Sequence, residues 1–197
     1  KAYYAKQDAE KLSGKGDTSQ KLTLMKTSAD SLKKSADALN DSSLWEKKKI
    51  KKKDEKTGEE IEVEDYDWDK ITKAVKSFVE DYNDVVKEAG ESNTKDVLRN
   101  ASWMTGMTDK NSNMLAKIGI TIGKGNKLEL DEDALKQADI SSLKTVFTGY
   151  NSFVSKISQK ATCISNAANR ASATYTNNGT YSKTDSSLTS SKIDKEV

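Results

Sequence analysis

The sequence predicts a mainly α-helical protein, an elongated bundle with two small β-hairpins, and three observations support that prediction. Apolar residues recur at alternating spacings of three and four over several long stretches, which is typical of helices with a narrow buried seam. Only 34% of the 197 residues are hydrophobic and 32% are charged, a balance that suits long thin helices better than a thick core. Two glycine-containing turns, each between two short runs typical of strands, indicate hairpins.

Composition limits the chemistry that the chain can perform. The sequence contains no histidine, which excludes the usual serine and cysteine triads and most zinc sites. Its one cysteine, Cys163, excludes an intrachain disulfide, and we expect a free, inert thiol there. The glycines at 119, 123 and 125 do not match the phosphate-binding loop. We therefore predict that the protein is not an enzyme and holds no cofactor or metal.

Charge and hydropathy restrict the partners. The formal net charge is only +2, so composition gives no reason to expect binding to nucleic acid or anionic lipid. The longest apolar runs are too short to cross a bilayer. No secretory signal peptide is visible in the sequence. We predict neither nucleic-acid binding nor membrane insertion.

The first predicted helix begins near residue 22 and carries a heptad seam. Lysine, serine and aspartate separate its apolar residues and form a solvated face. Because so narrow a stripe is marginally stable alone, this helix needs a partner helix. The seam consists of Leu22, Met25, Ala29, Leu32, Ala36 and Leu39.

Residues 44–65 predict a first β-hairpin with oppositely charged arms. One arm holds six lysines between Lys47 and Lys53, and the other alternates from Glu60 to Glu64. A lysine run of this kind can form a nucleic-acid or lipid patch. Cross-strand pairing with the acidic arm is the favoured interpretation, because that arm would repel phosphates.

Three alternating aspartates after the hairpin, at 65, 67 and 69, resemble the start of a calcium-binding loop. Such a loop needs glycine at its sixth position and glutamate at its twelfth, where this chain has Lys70 and Lys76. The calcium interpretation is therefore rejected. Asp67 or Asp69 is better explained as the N-cap of the next helix.

That next helix has the strongest apolar stripe, and we expect it at the centre of the bundle. Phe78 and Tyr82 should face the seams of the first and last helices. Gly90 ends the helix. The stripe consists of Ile71, Val75, Phe78, Tyr82, Val85 and Ala89.

A further helix is predicted from about Asn93 to Ile118, with a kink near Gly106. Trp103, Met104 and Met107 form either an adaptable binding surface or part of the core. Their helical spacing favours core packing.

Residues 114–149 carry the most specific pattern in the chain. Gly119 follows a helical run and favours a left-handed C-terminal cap. Two alternating runs around the loop 123–126 predict the second hairpin, near 120–130. Asp131 then predicts the N-cap of a short helix, and a second short helix, Ser141 to Phe147, ends before Gly149.

The last predicted helix begins near Phe153 and has an alanine-rich seam that allows close approach to a partner. We predict that residues 1–172 form the helical bundle domain. Residues 173–197 are predicted to be a Ser/Thr/Asn-rich tail, flexible or ordered only on assembly. The seam consists of Ile157, Ala161, Ile164, Ala168 and Ala171.

Over roughly residues 69–172 the chain resembles the C-terminal region of the bacterial flagellar filament-capping family, hook-associated protein 2. Three features carry the resemblance: the turn 118–121, the strand-to-cap step 127–132, and the ending at Leu143, Val146 and Phe147. The Phe-Val-x-x-Tyr-Asn pattern at 78–83 adds to it. Family members normally carry longer flanking helices and a large head domain, whose insertion point the lysine-rich hairpin would occupy here.

The resemblance implies a structural assembly protein of the flagellum, exported through the flagellar secretion apparatus to the flagellum or cell surface. Its partners would be further copies of itself or other flagellar axial proteins. We expect a monomer or weak oligomer for the chain as given. The alternative is a secreted binding or adhesion module that keeps the fold without a flagellar role. The predicted assembly seam is Leu22, Met25, Leu32, Leu39, Ile157, Ile164 and Ala168.

Overall fold

A computed structural model describes residues 16–53, 58 and 60–174, and over these residues the chain is mainly helical, with two small antiparallel sheets. This confirms the predicted fold class. Most of the predicted tail and the tip of the first hairpin lie outside the described residues. The elements are α1 (Ser19–Asn40), β1 (Lys48–Lys53), β2 (Glu60–Asp65), α2 (Trp68–Gly90), α3 (Lys95–Lys110), α4 (Ser112–Ala116), β3 (Ile120–Ile122), β4 (Leu128–Leu130), α5 (Glu132–Gln137), α6 (Ile140–Phe147) and α7 (Phe153–Thr174).

Helix α1 lies between α2 and α7, and its pairing with α7 is the most extensive helix contact. Thr18 begins α1 by accepting a hydrogen bond from the Lys21 amide. The predicted seam residues of α1 are all buried. Small residues on α7, among them Ala161 and Ala168, let the two helices approach closely.

Helix α2 was expected at the centre of the bundle, facing both α1 and α7, and that expectation was wrong for most of α7. Asp67, one of the two predicted N-caps, begins it by accepting a hydrogen bond from the Lys70 amide, and Asp69 lies in its first turn. The helix packs along α1 but turns its other contacts toward α3, α5 and β4, away from most of α7. Phe78 still meets the start of α7, with its ring centroid 6.3 Å from that of Phe153. Tyr82 instead faces α3, where its hydroxyl bonds to Thr108 at 2.9 Å.

The helix predicted from residue 93 to 118 is two helices, and the break is not at Gly106. Helix α3 runs through Gly106 without interruption and ends at Lys110. The C-cap of the helix is Asn111, whose backbone leaves the helical conformation (φ −101°, ψ 7°). Its side-chain amide also donates to the Met107 carbonyl, in competition with the backbone. Helix α4 then begins at Ser112.

The core expectation for the Trp103 group holds only in part. Met104 is fully buried, whereas Trp103 keeps 45% of its surface exposed. The Lys160 ammonium lies over the Trp103 ring, 4.5 Å from its centroid, so the ring packs under a lysine from α7 at the surface.

The region 114–149 folds as predicted. Gly149, with φ +98°, follows the C-cap of α6 in the left-handed conformation. Gly119, with φ +79°, is also left-handed, but α4 already ends at Ala116, so Gly119 closes the turn that leads into β3. Strands β3 and β4 pair antiparallel, Ile120 opposite Leu130. Asp131 caps α5 by accepting hydrogen bonds from the amides of residues 133 and 134.

An aromatic cluster fills the end of the core beneath the first hairpin. Trp45, assigned from the sequence to the hairpin arm, is buried and stacks on Phe147 with centroids 5.5 Å apart. Its indole N–H donates to the Leu39 carbonyl at 2.8 Å, at the end of α1. The Phe78 and Phe147 rings pack in a T-shaped arrangement, with their centroids 6.5 Å apart. The cluster therefore joins α1, α2 and α6 where the hairpin leaves the bundle.

Candidate assembly surfaces

The seven residues of the predicted assembly seam all lie inside this chain. The α1 and α7 seams face each other, so each helix supplies the partner that the other needs. Assembly between chains through these residues stays a prediction. Even the most exposed of the seven, Leu22, has only 5% of its surface accessible to solvent. The seven residues are Leu22, Met25, Leu32, Leu39, Ile157, Ile164 and Ala168.

Two serine-to-aspartate hydrogen bonds set the register of the α1–α7 pair. Ser165 donates to Asp30 and Ser158 donates to Asp37, each at 2.6 Å. The two bonds are one heptad apart on both helices, in antiparallel order. A slide of one heptad would keep only one of them, so the pair favours a single register.

The electrostatics of these aspartates follow from the same contacts. Partial burial raises the pKa of Asp30, but hydrogen bonds from Lys26 and Ser165 outweigh it and lower the pKa below its ordinary value. Lys33 and Ser158 have the same effect on the pKa of Asp37. Both carboxyls therefore stay ionised and keep accepting these bonds at neutral pH.

Helix α2 holds the second hairpin through one side chain. The Asn83 amide donates to the Leu128 carbonyl at 2.9 Å and accepts from the Leu128 amide at 2.7 Å. It thereby satisfies the backbone of β4 much as another strand would. The Phe-Val-x-x-Tyr-Asn pattern thus docks α2 through Phe78 on Phe147, Tyr82 on Thr108 and Asn83 on Leu128.

Asp17 closes the opposite end of the bundle, and sequence reasoning missed it. Its carboxylate, 1% exposed, accepts hydrogen bonds at 2.7–3.0 Å from four donors on the loop before α3. It acts as an N-cap supplied from elsewhere in the chain, since the side chain of the N-cap residue, Thr94, makes no capping bond. The donors are the Ser92 hydroxyl, the Asn93 amide and the Thr94 amide and hydroxyl.

Candidate metal-binding groups and membrane-spanning helices are both absent from the described ranges. Those ranges hold no group of three or more metal-ligating side chains, and none of their helices has the length and apolar character to span a membrane. Cys163 is exposed. The most distinctive exterior element is the charged β1–β2 hairpin, which stands at the end of α1 opposite Asp17.

Comparison with known proteins decides the family. The family model for the C-terminus of flagellar hook-associated protein 2 matches residues 91–196, just over half of the chain. The chain belongs to the flagellar hook-associated protein 2 family. Searches of curated proteins and of solved structures gave no significant match.

The match confirms the family resemblance and adjusts its range. In this hook-associated protein 2 homologue the matched residues include all of α3 to α7 and continue past the described residues to 196. Helix α2, which also carried part of the resemblance, lies before the match. It is joined to the matched region by Tyr82 and Asn83.

Proposed function

We propose that this protein is a cap-like structural subunit of the bacterial flagellar filament, located outside the cell and without catalytic activity. The observation that carries the proposal is the match of residues 91–196 to the C-terminus of hook-associated protein 2. Among the described residues, no feature favours the alternative of an adhesion module.

The two ends of the bundle differ from each other, which supports a role in an axial assembly. Gly16 and Thr174, the two ends of the described bundle, lie near each other, because α1 and α7 are antiparallel and Asp17 is fixed to the start of α3. The charged hairpin lies at the other end, at the close of α1. We propose that the two ends contact different neighbours, which are further copies of this chain or other flagellar axial proteins.

The exposed, single Cys163 makes a direct test available. A membrane-impermeant maleimide dye applied to intact cells reaches only extracellular thiols. We expect fluorescence at filament tips in the wild type and none there in a Cys163→Ser strain. Deleting the gene should leave short or missing filaments and abolish swimming, and the wild-type gene should restore both. Normal filaments and swimming in the deletion strain would contradict the proposal.

A further inference from the structure

The β1–β2 hairpin separates its charges by strand. Strand β1 has the sequence KKIKKK and β2 has EIEVED. The antiparallel register sets Lys49 opposite Glu64 and Lys51 opposite Glu62. The Lys51 ammonium lies 3.7 Å from Glu60, and both side chains remain well exposed, at 70% and 62%. The hairpin is thus a ribbon with one basic strand and one acidic strand.

Each strand of this ribbon pairs on one side only. The sheet has two strands, and no other strand of the described chain covers the outer edge of either. Within the described residues the strands contact chiefly each other, and Ile50 and Val63 are only half-buried. A two-stranded ribbon is marginally stable alone in water, so added strands would stabilise it.

We infer that the hairpin is an interface with a second copy of this chain, in which acidic β2 of one copy lies beside basic β1 of the next. The inference rests on the proposed function, because it describes how the subunits of a cap-like assembly join. Antiparallel pairing of β2 with β1 of the neighbour would repeat the lysine-to-glutamate opposition already present within each hairpin.

Charge selects this arrangement over the symmetric ones. Pairing β1 with β1 of another copy would oppose lysines to lysines, and pairing β2 with β2 would oppose carboxylates to carboxylates. Like charges directly opposite each other destabilise a sheet. The same lysines discourage pairing with uncharged strands, which limits non-specific edge contacts. The favoured contact is therefore head-to-tail, and such contacts build closed rings or open helical assemblies.

Disulfide trapping in the full chain tests the strand order directly. In a Cys163→Ser background, one variant carries Lys51→Cys at the centre of β1 and another carries Glu62→Cys at the centre of β2. One of the two bears a tag, so that mixed and same-variant dimers differ in mass. Leu24→Cys on α1, an exposed position outside the hairpin, measures dimers formed by random collision.

The head-to-tail contact predicts a specific product distribution under oxidising conditions at low salt. Mixed dimers of Lys51→Cys with Glu62→Cys should exceed each same-variant dimer and the Leu24→Cys background several-fold. The excess should disappear at about 1 M salt, where charges are screened beyond about 3 Å.

Three outcomes would overturn the inference: same-variant dimers as abundant as mixed ones, no excess over the Leu24→Cys background, or an excess that salt leaves unchanged. None of them would touch the proposed function, which the deletion strain tests separately. A strain that loses its filaments while the hairpin variants fail to cross-link would retain the flagellar role and reject the hairpin interface.

Discussion

At the scale of single residues, Gly119 occupies a position at the turn into the second hairpin where no side chain fits. A Cβ at this position would lie 2.6 Å from the Asp131 carbonyl oxygen and 2.9 Å from the Leu135 amide nitrogen. The backbone also has φ +79°, where residues other than glycine are strained. The Gly119 carbonyl accepts the Asp131 amide at 2.8 Å, so the turn cannot move away freely.

Gly119→Ala should therefore lower the free energy of unfolding by about 1–3 kcal/mol from backbone strain, and further from the clash. Gly106→Ala is the matched control, because Gly106 lies inside α3 with open space around its Cβ direction. The control should raise stability by about 0.5–1 kcal/mol. Urea denaturation of both variants measures the difference, and equal stabilities would refute the steric argument.

Asp17 provides a prediction that depends on pH. Burial raises the pKa of this carboxyl, but the four donors and the Lys21 ammonium outweigh burial and lower the pKa below its ordinary value of 3.8. A lowered folded-state pKa stabilises the fold above the unfolded-state pKa, and this contribution is lost as pH falls through the folded-state value. The Asp17 contribution should thus be complete at neutral pH and decline below about pH 4.

Asp17→Asn should cost about 1–3 kcal/mol near neutral pH, because an amide cannot accept all four hydrogen bonds. The stability gap between the variant and the wild type should narrow as pH falls below about 4, where the unfolded chain begins to take up a proton that the folded carboxyl resists. Asp109→Asn, at an exposed position on α3, is the control and should change little. A gap that stays constant with pH would show that the charge is unimportant.

Local sequence patterns predicted some of these residues and missed others, depending on how far away their partners lie in the sequence. Asp131 was predicted correctly, and Asp67 was one of two predicted caps, because each side chain accepts hydrogen bonds from amides two or three positions along the chain. The left-handed Gly119 was also predicted, but the contacts with Asp131 and Leu135 that exclude a side chain there are not local and were not predicted. Asp17 was missed, because its partners lie 75 or more positions away and no local pattern indicates them. Asn83 was noticed only as part of a family pattern, and its contact with β4 spans 45 positions.

At the scale of elements, α2 depends on Phe78, which is fully buried among Phe147, Phe153 and Tyr82. Phe78→Ala should lower stability by about 3–5 kcal/mol, because the cavity removes contacts with three other rings. Ser77→Ala, at the adjacent exposed position, is the control and should stay within about 0.5 kcal/mol of the wild type. Unchanged thermal stability in Phe78→Ala would show that α2 is peripheral.

The lysine arm of the first hairpin supports a prediction about nucleic acid. The observed register confirms that an acidic strand lies directly beside the lysines, where it would repel phosphates. Binding to DNA or RNA at physiological salt should be no tighter than about 10⁻⁴ M. Titration by fluorescence anisotropy checks this. Micromolar affinity that falls steeply with salt, and vanishes when lysines 47–53 are neutralised, would contradict it.

Periodicity identified the long helices but not their arrangement. The stripe of α2 is the most apolar, yet α1 takes the position between α2 and α7, because alanines and serine-to-aspartate bonds bring α1 and α7 close together. Trp103 fits a helical stripe and still lies largely at the surface. Hydrophobic spacing predicts which face of a helix is buried, whereas neighbour choice depends on side-chain size and polar pairs on both helices.

At the scale of the whole molecule, the bundle separates the hairpin from the described ends of the chain. Helix α1 has 22 residues, so these two regions lie about 33 Å apart at about 1.5 Å per residue. The match to hook-associated protein 2 continues to residue 196, past the last described helix. Residues 175–196 are rich in serine, threonine and asparagine, with apolar residues too scattered to form a core of their own. We propose that this tail serves assembly and adds little to the stability of the bundle.

Removing residues 175–197 tests that division between bundle and tail. The shortened chain should keep its thermal unfolding temperature within a few degrees, because the seams of α1 and α7 already bury each other among the described residues. It should also fail to restore filaments in the deletion strain, because the proposed assembly segment is gone. Differential scanning calorimetry measures the first effect, and electron microscopy of filaments measures the second. A large loss of thermal stability would show that the tail stabilises the bundle. Full restoration of filaments would show that assembly does not need the tail.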